Sequence, residues 1–271
     1  MTEFDEEFLY LADPVLRVNR EFGLGYMLDP KQEDIIRSTS QQLIVCCTRQ
    51  WGKTTTVAAK AATEAIGNPG LILVVAPVER QARECFRKIK GFLNKSVKTR
   101  WPESNKTSLE LPDGARVVAL PAKGDSIRGY TNPRLIIIDE AAFVSDEDYK
   151  AVRPMLSHGA RLIVMSTPFG KRGWFYEAWQ RTDGDWDKIF VTADECKHIS
   201  RKFLAEERIE LGNFWYSQEY ECKFLDSVDS YFDMDAVRRG LEDNIEPLFS
   251  VRQGEQLNIT DDIEPLFGVK A

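Results

Sequence analysis

The chain has 271 residues, of which 43% are apolar and 29% charged, with a net charge of −7 at pH 7. This composition is typical of a soluble globular protein, and no apolar stretch approaches the roughly 18 residues that a membrane-spanning helix needs. The first 13 residues hold five acids and no Lys or Arg, unlike a secretory leader, so we expect a cytoplasmic protein with no membrane partner. The five cysteines form no CxxC pair, which argues against a zinc site or a disulfide framework. Cys46 and Cys47 lie in a predicted strand, and we expect both to pack in the core.

The negative charge lies at the two ends of the chain. Residues 240–271 hold seven acids against two basic residues, whereas residues 80–106 hold nine Lys or Arg against two acids. A basic stretch of this kind favours contact with a phosphate backbone. We predict an acidic arm (1–27, with a short helix near 6–11), an α/β core (28–195), a small helical lid (196–235) and an acidic tail or linker (236–271).

The first predicted element of the core is a helix that begins at Asp29-Pro30. Gln32 lies in its first turn. In many RecA-like motors a glutamine upstream of the phosphate loop hydrogen-bonds the adenine edge, so Gln32 is a candidate nucleotide contact. The alternative is a solvated glutamine with no binding role.

A buried strand at residues 43–47 leads into the polar segment 48–56 and then into an Ala-rich helix that extends to about Ile66. Strand, turn and helix in this order are the context of a Walker A motif, in which backbone N–H groups bind phosphate. Lys53 would reach the β- and γ-phosphates and the Thr54 hydroxyl would ligate Mg²⁺. The motif is irregular because Cys47 stands where its first glycine belongs, and a chance Gly-Lys-Thr is the alternative.

A second buried strand covers residues 71–76, and a helix follows over about 78–93. Helical spacing places Arg80, Arg83 and Arg87 on one face, which suits either a phosphate backbone or plain solvation. Residues 109–120 predict a β-hairpin that turns at Asp113-Gly114.

Residues 135–140 predict a buried strand that ends in two carboxylates, the Walker B pattern. In such a site Asp139 supports the Mg²⁺ shell, and Glu140 orients and deprotonates the attacking water. Two phosphate-site motifs, each at the end of a predicted strand, argue strongly against chance.

Three further segments surround these motifs. A glycine-flanked polar loop at 123–131 carries Arg128, which is either a surface arginine or a group that reaches a neighbouring subunit's γ-phosphate. A strand at 161–165 ends in Ser166-Thr167-Pro168, whose hydroxyls suit contact with the γ-phosphate. After a last strand at 187–192, two helices (201–211 and 213–222) predict a lid whose core holds Phe203, Leu204, Phe214, Trp215, Tyr216 and Tyr220.

Taken together, residues 28–235 resemble the large terminase subunit, the DNA-packaging motor of tailed bacteriophages. The resemblance rests on the segment Thr48-Arg49-Gln50-Trp51-Gly52-Lys53-Thr54-Thr55, the Ser126–Gly129 loop, Ile138–Ala142, Ser166-Thr167-Pro168, and the stretch from Trp215 to Phe224. It implies an α/β fold, a RecA-like additional-strand P-loop ATPase core with a small helical lid, in a viral or prophage protein of the host cytoplasm.

The resemblance also implies roles for individual residues. Lys53 and Thr54 bind phosphates and Mg²⁺ of the cofactor ATP, Asp139 supports the metal, and Glu140 is the catalytic base. Arg49 senses or stabilises the γ-phosphate, and Arg128 is the candidate arginine finger in trans. The remaining expected nucleotide contacts are Gln32, Thr48, Gln50, Gly52, Thr55, Ser166 and Thr167. The implied partners are double-stranded DNA, a homo-oligomeric ring, the portal and the small terminase subunit.

One departure from this family concerns the nuclease. Packaging terminases usually carry a C-terminal nuclease with metal-binding acids on strand ends, and no apolar strand ending in Asp follows Phe232. We therefore expect no nuclease activity from this chain: either a separate chain supplies the nuclease, or this is a truncated or split gene product. The end of the sequence instead nearly repeats Ile245-Glu246-Pro247-Leu248-Phe249 at residues 263–267, for which we have no mechanism.

Three other functions fit parts of the pattern. A superfamily 2 helicase shares the Asp-Glu strand end, but it needs a second RecA-like domain. A subunit that binds ATP without hydrolysing it would be expected to lack Lys53 or Glu140, and both are present. A small-molecule kinase ranks last, because it would not need a buried Asp-Glu strand end.

Overall fold

A computed structural model describes residues 8–10, 12–24, 28–96, 101 and 103–226, all within one compact unit. Its helices are α1 (Pro14–Arg20), α2 (Pro30–Arg37), α3 (Lys53–Ala65), α4 (Glu79–Ser96), α5 (Gly124–Arg128), α6 (Asp146–Leu156), α7 (Gly173–Gln180) and α8 (Arg201–Glu219). Its strands are β1 (Gln42–Cys47), β2 (Gly70–Ala76), β3 (Glu103–Ser104), β4 (Ser108–Glu110), β5 (Ala115–Pro121), β6 (Pro133–Asp139), β7 (Arg161–Ser166) and β8 (Asp187–Val191).

The described strands form one eight-stranded sheet in the order β3-β4-β5-β2-β6-β7-β1-β8. In this spatial order, all neighbouring strands from β5 through β2, β6, β7 and β1 to β8 pair in parallel. Strands β3 and β4 add an antiparallel edge beyond β5. The predicted hairpin is the β4–β5 pair. Strand β7 lies between β1 and β6, so one strand separates the two strands that lead into the phosphate-site motifs. This order confirms the predicted additional-strand arrangement.

The central strands are buried because helices cover both faces of the sheet. Strands β1, β2, β6 and β7 are almost entirely buried, as continuous apolar runs in a parallel sheet require. Along β1, Val45 and Cys47 join the apolar cluster with α1–α4, whereas Ile44 and Cys46 join the cluster with α6 and α7. All five cysteines are buried, which confirms the predicted core positions of Cys46 and Cys47.

Two helices position the phosphate loop. Helix α2 starts with a capping box, in which the Asp29 side chain accepts from the Gln32 N–H and the Gln32 side chain accepts from the Asp29 N–H. Helix α3 is rich in alanine and almost wholly buried, because small side chains let it pack closely against the sheet. No helix among the described residues is long and apolar enough to cross a membrane.

Three predictions of local structure need correction or a limit. The segment Ser126–Arg128, predicted as a loop, lies in the short helix α5. The two predicted lid helices are present as α8 with a break at Gly212, but Trp215 is 42% exposed and does not belong to the buried core. Residues 8–10 of the predicted N-terminal helix are helical, and the tail at 236–271 lies outside the described residues.

Candidate nucleotide site

The candidate site is a cleft of about 530 Å³ at the carboxyl ends of the central parallel strands. This is the edge at which ligands bind in open α/β sheets. Phosphate-loop residues, the end of β6, the end of β7 and the first turn of α4 all contribute. The lining consists of Arg49, Gln50, Lys53, Gln81, Glu140, Phe143 and Thr167.

The phosphate loop turns through two residues with positive φ, Gln50 (61°) and Gly52 (97°). Gly52 is also the N-cap of α3 and forms no side-chain capping bond, which leaves N–H groups of the first turn for an anion. A Cβ at Gly52 would lie 3.1 Å from Gln32 Nε2. The position therefore requires glycine both for its backbone conformation and for the close approach of α2.

Helix α2 supports this loop from behind. Gln32 Nε2 donates to the Trp51 carbonyl at 2.8 Å, and its Oε1 accepts from the Asp29 N–H at 3.0 Å. The Trp51 ring is buried, and its Nε1 donates to the Asp29 carboxylate. Both polar ends of Gln32 are thus engaged within the protein and it is absent from the cleft lining. Its contact with adenine stays a prediction.

Lys53 and Glu140 meet inside the cleft, with Lys53 Nζ 2.9 Å from Glu140 Oε1. Burial alone would lower the pKa of Lys53, but its neighbours Cys47, Glu140 and Asp139 together outweigh burial and raise the pKa above its ordinary value. The lysine is therefore a fixed positive charge beside a carboxylate. An ATP phosphate is the kind of anion that this lysine can bind.

Thr54 and Asp139 place two oxygens side by side next to this pair. Thr54 Oγ1 donates to Asp139 Oδ2 at 2.9 Å, and Asp139 Oδ1 accepts from the Glu140 N–H at 2.9 Å. Burial raises the pKa of Asp139, although Lys53 opposes that shift. A hydroxyl and a buried carboxylate are hard oxygen ligands of the kind that Mg²⁺ takes in phosphate-loop sites, so these two residues fit the predicted metal.

Glu140 adopts a left-handed backbone conformation with φ 53° and ψ 44°. Residues other than glycine seldom adopt it, and such strain tends to accumulate at functional sites. The conformation occurs just after β6 and turns the chain from the strand into the 3₁₀ turn Ala141–Phe143. The Glu140 side chain lines the cleft as a result.

The phosphate loop is tied to the end of α8. Arg49 Nε lies 2.6 Å from Glu219 Oε2, and the Glu219 carbonyl accepts from Thr48 Oγ1 at 3.1 Å and from the Arg49 N–H at 3.3 Å. The Gln50 carbonyl is 2.8 Å from His198 Nε2. Arg49 thus lines the cleft while its guanidinium pairs with Glu219, whereas the buried Thr48 faces Glu219 instead of the cleft.

Residues 219–226, here called the connecting segment, also reach the turn after β7. The Lys171 N–H donates to the Leu225 carbonyl at 3.1 Å, and Lys171 Nζ lies 3.0 Å from Asp226 Oδ2. Strand β7 ends in Ser166, which is buried, and Thr167 lines the cleft. One short stretch of chain therefore contacts both the phosphate loop and the turn that follows Ser166 and Thr167.

Besides Gln32 and Thr48, two further predicted site residues lie apart from the cleft. The Arg128 side chain is 69% exposed, is 3.8 Å from Asp125 and does not line the cleft. The Thr55 hydroxyl accepts from Lys88 Nζ at 2.9 Å and so faces α4. Their predicted contacts with nucleotide are not tested by this arrangement and stay predictions.

The structure adds two cleft residues that sequence reasoning missed. Gln81 comes from the first turn of α4, and Phe143 comes from the 3₁₀ turn after Glu140, with its ring centroid 4.6 Å from that of Phe169. A sequence signal existed for Gln81, because it follows a buried strand just as the phosphate loop does. Neither residue type has a fixed spacing from the motifs, so no pattern selected them.

The family described as "Terminase large subunit, T4likevirus-type, N-terminal" matches residues 46–239, more than half of the chain. The chain belongs to the large-terminase family. No curated protein is significantly similar to this terminase chain in sequence.

Solved terminase structures share the fold. The ATPase domain of the Thermus phage P74-26 large terminase has a TM-score of 0.66 and 24% identity, over 74% of this chain and 96% of that domain. The large terminase of the thermophilic bacteriophage D6E, in complex with ADP, has a TM-score of 0.60 and 14% identity. The match covers 73% of this chain and 54% of the D6E chain. The HK97 bacteriophage large terminase has a TM-score of 0.53 and 20% identity. The match covers 79% of this chain and 47% of the HK97 chain.

These likenesses confirm the fold class, a mostly parallel RecA-like P-loop core with a helical lid. At such identities they concern the fold alone. This terminase chain spans about half the length of the D6E and HK97 terminases. Activity, substrates and partners of the whole protein are therefore matters for proposal.

Proposed function

We propose that this chain is the ATP-hydrolysing motor of viral DNA packaging, which moves double-stranded DNA into a procapsid. The observation that carries this proposal is the meeting of Lys53 and Glu140 at 2.9 Å in one cleft, beside the Thr54–Asp139 pair. Membership of the large-terminase family supports it. The D6E terminase binds ADP and ATP-γ-S, which supports ATP as the nucleotide.

Each cleft residue has a defined task in this proposal. Lys53 and the N–H groups of the loop bind the phosphates, and the Glu140 carboxylate accepts a proton from the attacking water. The water oxygen bonds to the γ-phosphorus, the bond to the β–γ bridging oxygen breaks, and ADP and phosphate leave. Thr54 and Asp139 would hold Mg²⁺, which when bound neutralises phosphate charge.

Arg49 and Thr167 link the γ-phosphate to the rest of the motor. Both line the cleft, Arg49 is paired with Glu219 at the end of α8, and Thr167 starts the turn that contacts the connecting segment. Loss of the γ-phosphate changes the charge that Arg49 faces. We infer that this change moves the lid and drives DNA movement, with Ser166 and Thr167 contributing to the coupling.

The DNA contact in this proposal lies on α4. Arg80, Arg83 and Arg87 are exposed there, and the acids that pair with two of them, Glu79 and Glu84, lie on the same helix. Contacts with DNA phosphates do not depend on sequence and weaken steeply with salt. The proposed assembly is a homo-oligomeric ring with a portal and a small terminase subunit as partners, and with nuclease activity, if needed, from a separate chain.

The test is steady-state ATP hydrolysis at several protein concentrations, with no DNA, with double-stranded DNA and with single-stranded DNA. The expected result is a specific activity that rises with concentration and with double-stranded DNA. Glu140→Gln, which removes the base, lowers kcat about 100-fold or more. Glu147→Gln is the matched control because Glu147 is an exposed acid of α6, and it leaves the rate unchanged.

Two outcomes contradict the proposal. A constant specific activity stimulated by single-stranded DNA indicates a helicase-like ATPase. Nucleotide binding without hydrolysis under any of these conditions indicates a non-hydrolysing interaction subunit.

A further inference from the structure

Gln81 lines the nucleotide cleft and carries a buried, unpaired side-chain oxygen. Its Oε1 is buried and has no hydrogen-bond partner among the described residues. Of the described residues that line the cleft, Gln81 alone has a buried side-chain nitrogen or oxygen in this condition. Buried polar atoms are nearly always paired in folded proteins, and a buried acceptor without a donor costs stability. The exception suggests that the donor arrives with a ligand.

The backbone fixes Gln81 in this place. Strand β2 ends at Ala76, the chain turns through Pro77 and Val78, and the Gln81 N–H donates to the Val78 carbonyl at 3.1 Å in the first turn of α4. Strand β2 pairs with β6, the strand that leads to Glu140. The first turn of α4 therefore opens onto the same edge of the sheet as Glu140, and both side chains line one cleft.

The chemistry of hydrolysis calls for an acceptor at this wall. An attacking water carries two protons and must direct an oxygen lone pair at the γ-phosphorus, so its orientation is fixed by two hydrogen-bond acceptors. Glu140 supplies one of them. Lys53 and Arg49 are donors without acceptor capacity, and Phe143 has no polar atom. Gln50 in the phosphate loop and Thr167 after β7 also carry acceptor oxygens, but neither has a buried, unpaired one. Gln81 Oε1 is an acceptor with free capacity.

We propose that Gln81 orients the attacking water together with Glu140, an inference that rests on the proposed ATPase function. One proton of the water passes to the Glu140 carboxylate. The other is held by Gln81 Oε1, whose amide turns from its buried position towards the cleft when ATP is bound. The water oxygen bonds to the γ-phosphorus and ADP leaves with the bridging oxygen. A glutamine amide orients water in this way in several GTPases of the P-loop class, but here the residue comes from the helix after β2.

The experiment compares kcat and KM for ATP in wild type, Gln81→Leu and Gln81→Ala, together with the Kd for ATP-γ-S. Because Gln81 acts on the water and not on the nucleotide, kcat falls about 10- to 100-fold in both variants, the size expected from a misplaced reactant. KM and Kd stay within about twofold of wild type, by the same argument that the lost interaction is made in the transition state.

Gln42→Leu is the matched control. Gln42 in β1 also has a buried Oε1 without a partner among the described residues, but it lies at the start of β1 and outside the cleft. The same substitution there removes the same kind of atom and leaves kcat within about twofold of wild type, since surface and structural changes away from the site act on stability. Unchanged ATP-γ-S binding confirms that each variant is folded.

The outcomes separate this inference from the proposed function. If wild type hydrolyses ATP and Gln81→Leu and Gln81→Ala keep its kcat, the role of Gln81 is wrong and the proposed function stands. If KM and Kd rise together while kcat holds, Gln81 binds nucleotide and does not orient water. A wild-type chain that hydrolyses no ATP overturns both.

Discussion

Glu64 is the acid at the centre of a cation cluster at the opposite end of the sheet from the cleft. Its carboxylate lies 3.0 Å from Lys60 Nζ, 2.6 Å from Arg161 Nη1 and 3.3 Å from Arg134 Nη1. Arg134 and Arg161 stand near the amino ends of β6 and β7, whose carboxyl ends build the nucleotide site. The cluster is largely buried, so each charge depends on its partners.

Replacing Glu64 should therefore destabilise the fold. Glu64→Gln leaves Lys60, Arg134 and Arg161 without their shared anion, and we expect a loss of about 3 kcal/mol in the free energy of unfolding, measured by urea titration. Glu33→Gln is the control because Arg37, which pairs with Glu33 at the surface, also pairs with Asp13 and keeps that partner. We expect this variant to lose less than about 1 kcal/mol in the free energy of unfolding. Equal losses for the two variants would show that burial of the cluster does not matter.

The pH dependence of the same variant has a defined sign. Burial would raise the pKa of Glu64, but Lys60 and Arg161 outweigh it and hold the pKa below the ordinary 4.5. A lowered folded-state pKa adds stability above the unfolded-state pKa, and this stability is lost as the pH falls through the folded-state pKa. The difference in the free energy of unfolding between wild type and Glu64→Gln should thus reach its full value above pH 4.5 and decrease as the pH falls below it. A difference independent of pH would contradict this assignment.

At the scale of elements, Gly212 divides α8 into two helical halves. Its backbone, with φ 72° and ψ 164°, lies in a region that is essentially reserved for glycine. The break lets Leu204 from the first half and Tyr216 from the second pack into the same apolar cluster as the phosphate-loop strand. The lid depends on this change of direction.

Gly212→Ala should lower stability even though a Cβ there meets no atom within 4 Å. The expected cost is about 1–2 kcal/mol because the strain is in the backbone alone. The matched control is Gly91→Ala in α4. A Cβ there also meets no atom within 4 Å, but φ is not positive, so this substitution increases the free energy of unfolding by about 0.5–1 kcal/mol. Thermal unfolding of the two variants measures this. Shifts of the same sign would refute the strain argument.

The elements most accurately predicted are those whose signal is local. Continuous apolar runs predicted β1, β2, β6 and β7, and Gly212 marked the break between the lid helices. Helix α5 was missed because a segment of five residues, which begins at Gly124 and is followed by Gly129, is too short to show a helical periodicity. Trp215 was placed in the core on residue type alone, but the turn at Gly212 leaves it on the exposed side of the lid.

The site was predictable to the extent that it is linear in sequence. Lys53, Thr54, Asp139 and Glu140 follow from strand-end motifs, and the structure brings them together. Gln81 belongs to the cleft because β2 pairs with β6, and Arg49 meets Glu219 across 170 residues. Such neighbours depend on strand order and lid packing, which no local pattern encodes.

At the scale of the whole molecule, Arg128 lies apart from the cleft of its own chain. The side chain is 69% exposed on α5 and lies outside the cleft lining. An arginine finger must reach the phosphate whose charge it stabilises. We propose that Arg128 serves this purpose in an assembly, where it faces a neighbouring subunit.

Mixing two inactive variants tests this role. Arg128→Ala keeps its own base and Glu140→Ala keeps its own arginine, so a mixed ring contains sites that combine the intact Glu140 of one subunit with the intact Arg128 of the next. We expect each variant alone to lose about 10³-fold or more in kcat, and the mixture to recover ATPase activity. Co-assembly is verified by size-exclusion chromatography of the mixture. Recovery absent from a co-assembled mixture would exclude action in trans.

The connecting segment also determines how the domain responds to mechanical force. A pull applied at Asp226 first loads the Lys171 contacts at residues 225 and 226, and then the ion pair and backbone bonds that join Glu219 to the phosphate loop. Between these points Cys222 Sγ donates to the Val191 carbonyl at the end of β8, at 3.2 Å. Tension on eight consecutive residues therefore reaches both loops at the cleft and one strand of the sheet. Conversely, a displacement of the phosphate loop pulls on residue 226 and on any part of the chain that follows it.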